Sequence, residues 1–164
     1  MMLPVRLCCL FGLGATLVLA VVAKASAAIG EAEVREGAGG VPCFTIAERE
    51  ERRSGAPNFE AISVTEVAGK RRAVVWSMAM PEGRTFPLMF SMCIPYGGRV
   101  PALPQRSAEL LEAGTLYEVA IDVRAPQSAS PQSQPNALVA RFCLLRRADG
   151  SKAVSTAAAC NAPH

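Results

Sequence analysis

The chemistry available to this 164-residue chain lies mainly in its six cysteines, one histidine and a few runs of charge. The histidine is His164, at the carboxyl end, so no imidazole is expected inside the fold as a general base or zinc ligand. A buried Ser-His-Asp triad, a Cys-His dyad and a His-based zinc site are therefore not expected. Cys43, Cys93, Cys143 and Cys160 include no C-x-x-C pair, which argues against a thiol redox centre or a zinc ribbon. Asp122 and Asp149 are the only aspartates, and Asp149 followed by Gly150 suits a turn. Glu48, Glu50 and Glu51 sit among Arg49, Arg52 and Arg53 and read as a solvated face. Gly37-Ala38-Gly39-Gly40 precedes an apolar run and lacks the lysine of a phosphate loop. These residues predict no catalytic centre, metal, cofactor or small-molecule substrate. The expectation is a protein that is not an enzyme.

What must position the remaining candidates begins with an export signal. Met1 to Arg6 is basic, Leu7 to Ala23 is apolar and uncharged, and Ala25 and Ala27 suit signal peptidase, which predicts cleavage before Ala28. The alternative is an uncleaved anchor, since the apolar run sits at the lower edge of spanning length. Cys8 and Cys9 lie too early in that run for a lipoprotein signal. Residues 1–27 are thus expected to leave, and 28–164 to form a single soluble domain with no stable membrane insertion. The whole chain carries 17 Lys+Arg against 14 Asp+Glu. Loss of Arg6 and Lys24 leaves 15 against 14, a net charge of +1, which supplies no attraction to nucleic acid. Lys70-Arg71-Arg72 lacks the interleaved aromatics of a nucleic-acid patch. It suits solubility or contact with an acidic protein.

In an oxidising compartment the four mature cysteines predict two disulfides with three possible connectivities. One of these joins Cys143 to Cys160 and Cys43 to Cys93. Between the cysteines run short β-rich segments divided by Gly and Pro: Glu31–Glu36, Pro42–Ala47, Phe59–Val67, Arg72–Ala79, Leu88–Ile94, Thr115–Val123, Ala137–Arg147 and Lys152–Ser155. Alternation is clearest in Thr115–Val123, where Tyr117, Val119, Ile121 and Val123 share a face. In Arg72–Ala79 it sets Val74, Trp76 and Met78 on one face and Val75 on the other. Met78, Met80, Met89 and Met92 are expected in the core. Glu48–Arg53 reads as a solvated loop, with one helical turn as the alternative, and Ser107–Glu112 as a single helical turn. The stretch 125–136, rich in Pro, Ser and Gln, is expected to be a mobile loop.

About seven such strands predict an all-β antiparallel sandwich. Leu110-Leu111-Glu112-Ala113-Gly114-Thr115-Leu116-Tyr117 resembles the tyrosine corner of fibronectin type III and immunoglobulin-like domains, where a Leu, a Gly and a Tyr open the sixth strand. The resemblance implies that the Tyr117 hydroxyl bonds upstream backbone, with Gly114 in the turn and Trp76 in the core.

A wider similarity covers most of the mature chain. Val41-Pro42-Cys43-Phe44-Thr45-Ile46, Cys93-Ile94-Pro95-Tyr96-Gly97, Leu111 to Ile121 and Arg141-Phe142-Cys143-Leu144 together resemble small Gram-negative periplasmic proteins assigned to type VI secretion immunity. Many of those are lipoproteins, whereas this chain lacks the lipobox cysteine. The resemblance implies a soluble periplasmic protein that binds and occludes a secreted toxin. Tyr96, Arg99 and Arg71 are the expected exposed anchors. The competing reading is a structural or accessory cell-envelope protein with no toxin partner, and the competing locations are secretion or anchorage by an uncleaved signal.

Overall fold

The computed structural model describes residues 28–68, 71–125 and 135–160. The signal expected over 1–27, most of the loop expected over 125–136, Lys70 and His164 fall outside the described residues. The chain is mostly β. Its strands are β1 (Ile29–Glu36), β2 (Pro42–Ile46), β3 (Asn58–Ala68), β4 (Arg71–Ala79), β5 (Phe86–Pro87), β6 (Ile94–Pro95), β7 (Gln105–Arg106), β8 (Leu116–Arg124), β9 (Ala137–Arg146) and β10 (Lys152–Thr156). Two short helices, α1 (Glu48–Ser54) and α2 (Ala157–Cys160), complete it.

The strands form one curled, mixed sheet, a half-barrel, in the order β6-β2-β1-β9-β8-β3-β4-β7, with β10 beside β9 and β5 beside β3. The curl turns on β1. Its first residues, Ile29–Glu31, run parallel to Ala137–Val139 of β9. Its remainder, from Ala32 on, leaves β9 and pairs antiparallel with β2. The β6-β2-β1 ladder therefore folds over the larger β9-β8-β3-β4 ladder, and the core lies between them. Phe44 of β2 packs 5.6 Å from Phe142 of β9 and 6.2 Å from Trp76 of β4. Tyr117 completes the stack at 5.6 Å from Phe142.

Strand β8 shows why the alternation in the sequence reaches the structure. Tyr117, Val119, Ile121 and Val123 are all buried, with polar or small residues between them, as the period of two requires. Strand β4 departs from its expected parity. Val74 is exposed and Val75 is buried, because Val64 pairs with Trp76 whereas Thr65 pairs with Val74. Val75 is the extra residue of a β-bulge, and a bulge breaks the alternation where it occurs.

Three other expected elements are corrected. Glu48–Ser54 is a helix rather than a loop: acidic residues fill its first turn, Arg52 and Arg53 its last, matching the helix dipole, and Gly55 at φ 75° ends it. Leu88–Ile94 is not a strand apart from its last residue. The segment covers the outer face of β2, with Leu88 buried and the Thr45 hydroxyl bonded to the Met89 carbonyl at 3.0 Å. Ser107–Glu112 makes no helical turn, because the Glu109 N–H is spent on the Val75 carbonyl at 3.0 Å. The methionines divide: Met78 is buried and Met80 packs against the core, whereas Met89 is exposed.

Disulfides join Cys43 to Cys93 and Cys143 to Cys160, with Cα separations of 5.5 and 6.0 Å. The first ties the covering segment to β2; the second pins α2 to the buried middle of β9. The pair marks an oxidising environment. No helix among the described residues is long and apolar enough to cross a membrane.

Candidate interaction surface

The connection from Tyr96 to Gly114 runs along the outer edge of β4 and is held at almost every step. Tyr96 sets its ring edge-on to Trp76 at 5.4 Å and donates its hydroxyl hydrogen to the Glu109 carbonyl at 2.7 Å. Burial, with the nearby Tyr117 and Glu109, pushes the Tyr96 phenol up to about 12 although the Glu109 carbonyl bond opposes the rise. Glu109 also pairs with Arg106 at 2.7 Å. Leu111 is buried, and its carbonyl accepts from Lys152 Nζ at 2.7 Å. The Glu112 N–H donates to the Tyr117 hydroxyl at 2.9 Å. The Thr115 side chain bonds the same hydroxyl, and burial raises the Tyr117 pKa. Gly114 turns at φ 83°, its N–H on the Leu144 carbonyl at 2.8 Å.

Leu110 stands between two anchored neighbours and is 85% exposed. Glu109 is fixed to β4, and Leu111 is sunk in the core, so the backbone of Leu110 has little freedom. Beside it lies a cleft of about 340 Å³ lined by Val41, Pro42, Tyr96, Leu144 and Lys152. Val41 is partly exposed, at 39%. Gly40 shapes this cleft. It lies at φ 76°, and a Cβ there would stand 2.6 Å from the Lys152 carbonyl oxygen, closer than any side chain allows. The result is a rigid apolar rim that presents one leucine to solvent.

The other part of this surface is the uncovered end of β4. Its outer edge is occupied from Val75 to Ala79, by Glu109 N–H, by β7 opposite Ser77 and Met78, and by the Pro104 carbonyl bonded to Ala79 N–H at 3.0 Å. From Arg71 to Val74 only β3 pairs with it among the described residues. Arg72 forms an ion pair with Glu118 of β8, which also holds Arg141 of β9 at 2.8 Å. Burial would raise the Glu118 carboxyl, but the two arginines outweigh it and hold its pKa down.

The sequence candidates divide accordingly. Arg71 is exposed at the start of β4 and has no ion pair among the described residues. Arg99 is exposed and lines a small cleft of about 170 Å³ with Trp76, Pro101, Gln105 and Arg106. Tyr96 differs from the exposed anchor expected of it: it is half-buried, and its hydroxyl is committed to Glu109. Its part is to hold the rim rather than to stand out from it. Trp76 and Tyr117 are 1% exposed and lie in the core.

Two residues of consequence escaped the sequence reading. Leu110 was legible in principle, since two adjacent leucines in an extended segment point to opposite sides and only one can enter the core. Glu50 carried no such signal. It is 4% exposed, and it accepts from Arg53 at 2.6 and 2.7 Å, from the Ser54 hydroxyl at 3.1 Å and from the Glu31 N–H at 3.4 Å. Burial pushes its pKa up, but Arg53, Ser54 and the Glu31 N–H outweigh that and hold it low. It therefore bolts α1 to β1 and is no solvated face. A cleft of about 490 Å³ opens beside it, lined by Ile29, Arg49, Arg53 and Val139. Among the described residues, no group of three or more His, Cys, Asp or Glu is placed to hold a metal.

Comparison with family models, with curated proteins and with solved structures finds no match for this chain.

Proposed function

We propose that this chain is an exported, non-catalytic protein-binding module that works from the periplasm, and that its partner is a secreted toxin, as the resemblance of its Cys43, Cys93, Tyr117 and Cys143 segments implies. The observation that carries the binding reading is Leu110. An apolar side chain that exposed, on backbone fixed at both neighbouring residues, gains its full burial energy on contact and loses little entropy. Occlusion is the mechanism: the rim of Leu110 and Val41 seats against the partner and covers its site.

The strand pairing supports an immunoglobulin-like origin for the half-barrel. The ladders β1-β2-β6 and β9-β8-β3-β4 follow the A-B-E and G-F-C-C′ neighbour relations of that fold. The Tyr117–Glu112 bond stands where the tyrosine corner belongs. A cleaved signal ending at Ala27 and the two disulfides fit export to the periplasm.

The test is a growth assay in which the product of the adjacent gene is exported to the periplasm of a test cell, with and without this protein. Growth arrest relieved by co-export is the expected result, and Leu110→Asp, at a position where the fold has nothing to lose, should abolish relief. Burying Leu110 supplies about 2 kcal/mol, so Leu110→Ala should weaken binding about 30-fold. Absence of toxicity, or toxicity that this chain cannot relieve, overturns the immunity reading and favours an accessory envelope role.

A further inference from the structure

We infer that the outer edge of β4 from Arg71 to Val74 is a strand-addition site for an extended acidic segment of a partner protein. The inference rests on the protein-binding reading above and adds the chemistry of the partner. Its first support is the abrupt end of the edge covering at Val75. In an antiparallel strand, alternate residues turn their N–H and C=O outward, so two residues of Arg71–Val74 offer main-chain donors and acceptors that have no partner among the described residues. The second is shape. Strand β8 follows β3 only as far as the Glu66–Tyr117 pair, and the four β4 residues beyond the bulge are all exposed, whichever face they point to. Arg71 and Arg72, paired with Ala68 and Val67, therefore extend past the last β3–β8 pair.

Charge and parity decide what such an edge accepts. Thr65 pairs with Val74 and Val67 with Arg72, so Val74 and Arg72 share the outer face, which is also where Arg72 meets Glu118. Arg71 lies on the opposite face with no carboxylate paired to it among the described residues. Glu118 is shared by Arg72 and Arg141, so this face keeps an excess of positive charge. Glu66 acts on the other face, near Tyr117. A second copy of β4 adding antiparallel with Arg72 opposite Arg72 would bring arginines against arginines, which is a device against self-pairing in that register. A foreign strand with carboxylates there is attracted instead. Running antiparallel, it would place an apolar residue opposite Val74, any residue next, and two acidic residues opposite Arg72 and Arg71. Main-chain bonds give such a contact affinity, and the alternate side chains give it specificity.

The test uses the blocked peptide acetyl-TSVTEETS-amide as probe, with acetyl-TSVTKKTS-amide and a backbone N-methylated form of the acidic peptide as controls. Binding is followed by amide shifts and hydrogen exchange in the intact mature protein. The acidic peptide should bind with Kd below about 1 mM and slow exchange at Arg71–Val74, with each control at least about tenfold weaker. Arg71→Glu, at a position whose side chain holds no ion pair among the described residues, should weaken the acidic peptide and strengthen the lysine one. Equal binding of the two charged peptides, or of the N-methylated form, overturns the proposal, as does the absence of any response at β4. Self-association that Arg71→Glu alters would likewise overturn it by making a second copy the occupant. If Arg71→Glu leaves growth relief intact while Leu110→Asp removes it, strand addition falls and the binding reading stands.

Discussion

Replacing Tyr117 by Phe tests the corner on which the rigid rim depends. The substitution keeps the ring against Phe142 at 5.6 Å and removes only the hydroxyl that accepts the Glu112 N–H at 2.9 Å. A net hydrogen bond is worth about 1 kcal/mol, and an orphaned buried N–H costs about 1–3 kcal/mol. Glu112 itself is exposed, so water can partly re-solvate the freed N–H, and the expected loss is about 1.5 kcal/mol. At about 4 °C per kcal/mol for a domain of this size, Tm should fall by about 6 °C. The assay is urea and thermal unfolding followed by the fluorescence of Trp76. As the sole tryptophan, and 1% exposed, it reports directly on the core. The same variant frees the backbone next to Leu110, so partner affinity should fall although no contact residue changes. The losses from Tyr117→Phe and Leu110→Ala should then be less than additive, because both act through one side chain. A stability change below about 0.3 kcal/mol, the usual error of such additivity arguments, would refute the account of the corner as a bond that the fold cannot replace.

Glu50→Gln should cost about 1–2 kcal/mol at neutral pH through the weakened Arg53 contact. The Glu50 pKa is held below its ordinary 4.5 in the folded chain, so its contribution is present above that value and lost as pH falls through the folded one. Urea midpoints of wild type and variant should therefore converge in acid. Tyr96 behaves oppositely: its folded pKa of about 12 exceeds the ordinary 10, so wild-type stability should decline as pH rises from 10 towards 12, more steeply than in Tyr96→Phe by alkaline denaturation. Cys143→Ala with Cys160→Ala opens a disulfide whose partners are 17 residues apart and should cost about 3 kcal/mol. Cys43→Ala with Cys93→Ala, 50 apart, should cost about 4 kcal/mol, measured by guanidinium unfolding.

The sequence by itself determined what depends on neighbours along the chain. Period-two alternation marked β8 because its Tyr117, Val119, Ile121 and Val123 all meet one core. The Gly114–Tyr117 spacing marked the corner because its turn, its strand start and its upstream bond partner lie within a few residues. The spacing of Pro, Gly and β-branched residues was enough for a mostly β chain, though not for its two short helices. Only the tertiary structure decided the rest. Val74 and Val75 exchanged faces because β4 must accommodate an extra residue against β3, and parity along one strand cannot report what its partner omits. Glu50 became a buried bolt because the Glu31 N–H, 19 residues away, arrives beside it, and a carboxylate becomes worth burying only when its donors converge. Leu88–Ile94 gave up its strand because the disulfide to Cys43 and the Thr45 hydroxyl draw it across β2. Leu110 was left in water for a related reason: Leu111, its carbonyl held by Lys152 from 41 residues away and its neighbours Glu109 and Glu112 bonded to β4 and Tyr117, already fills the one position that the core offers.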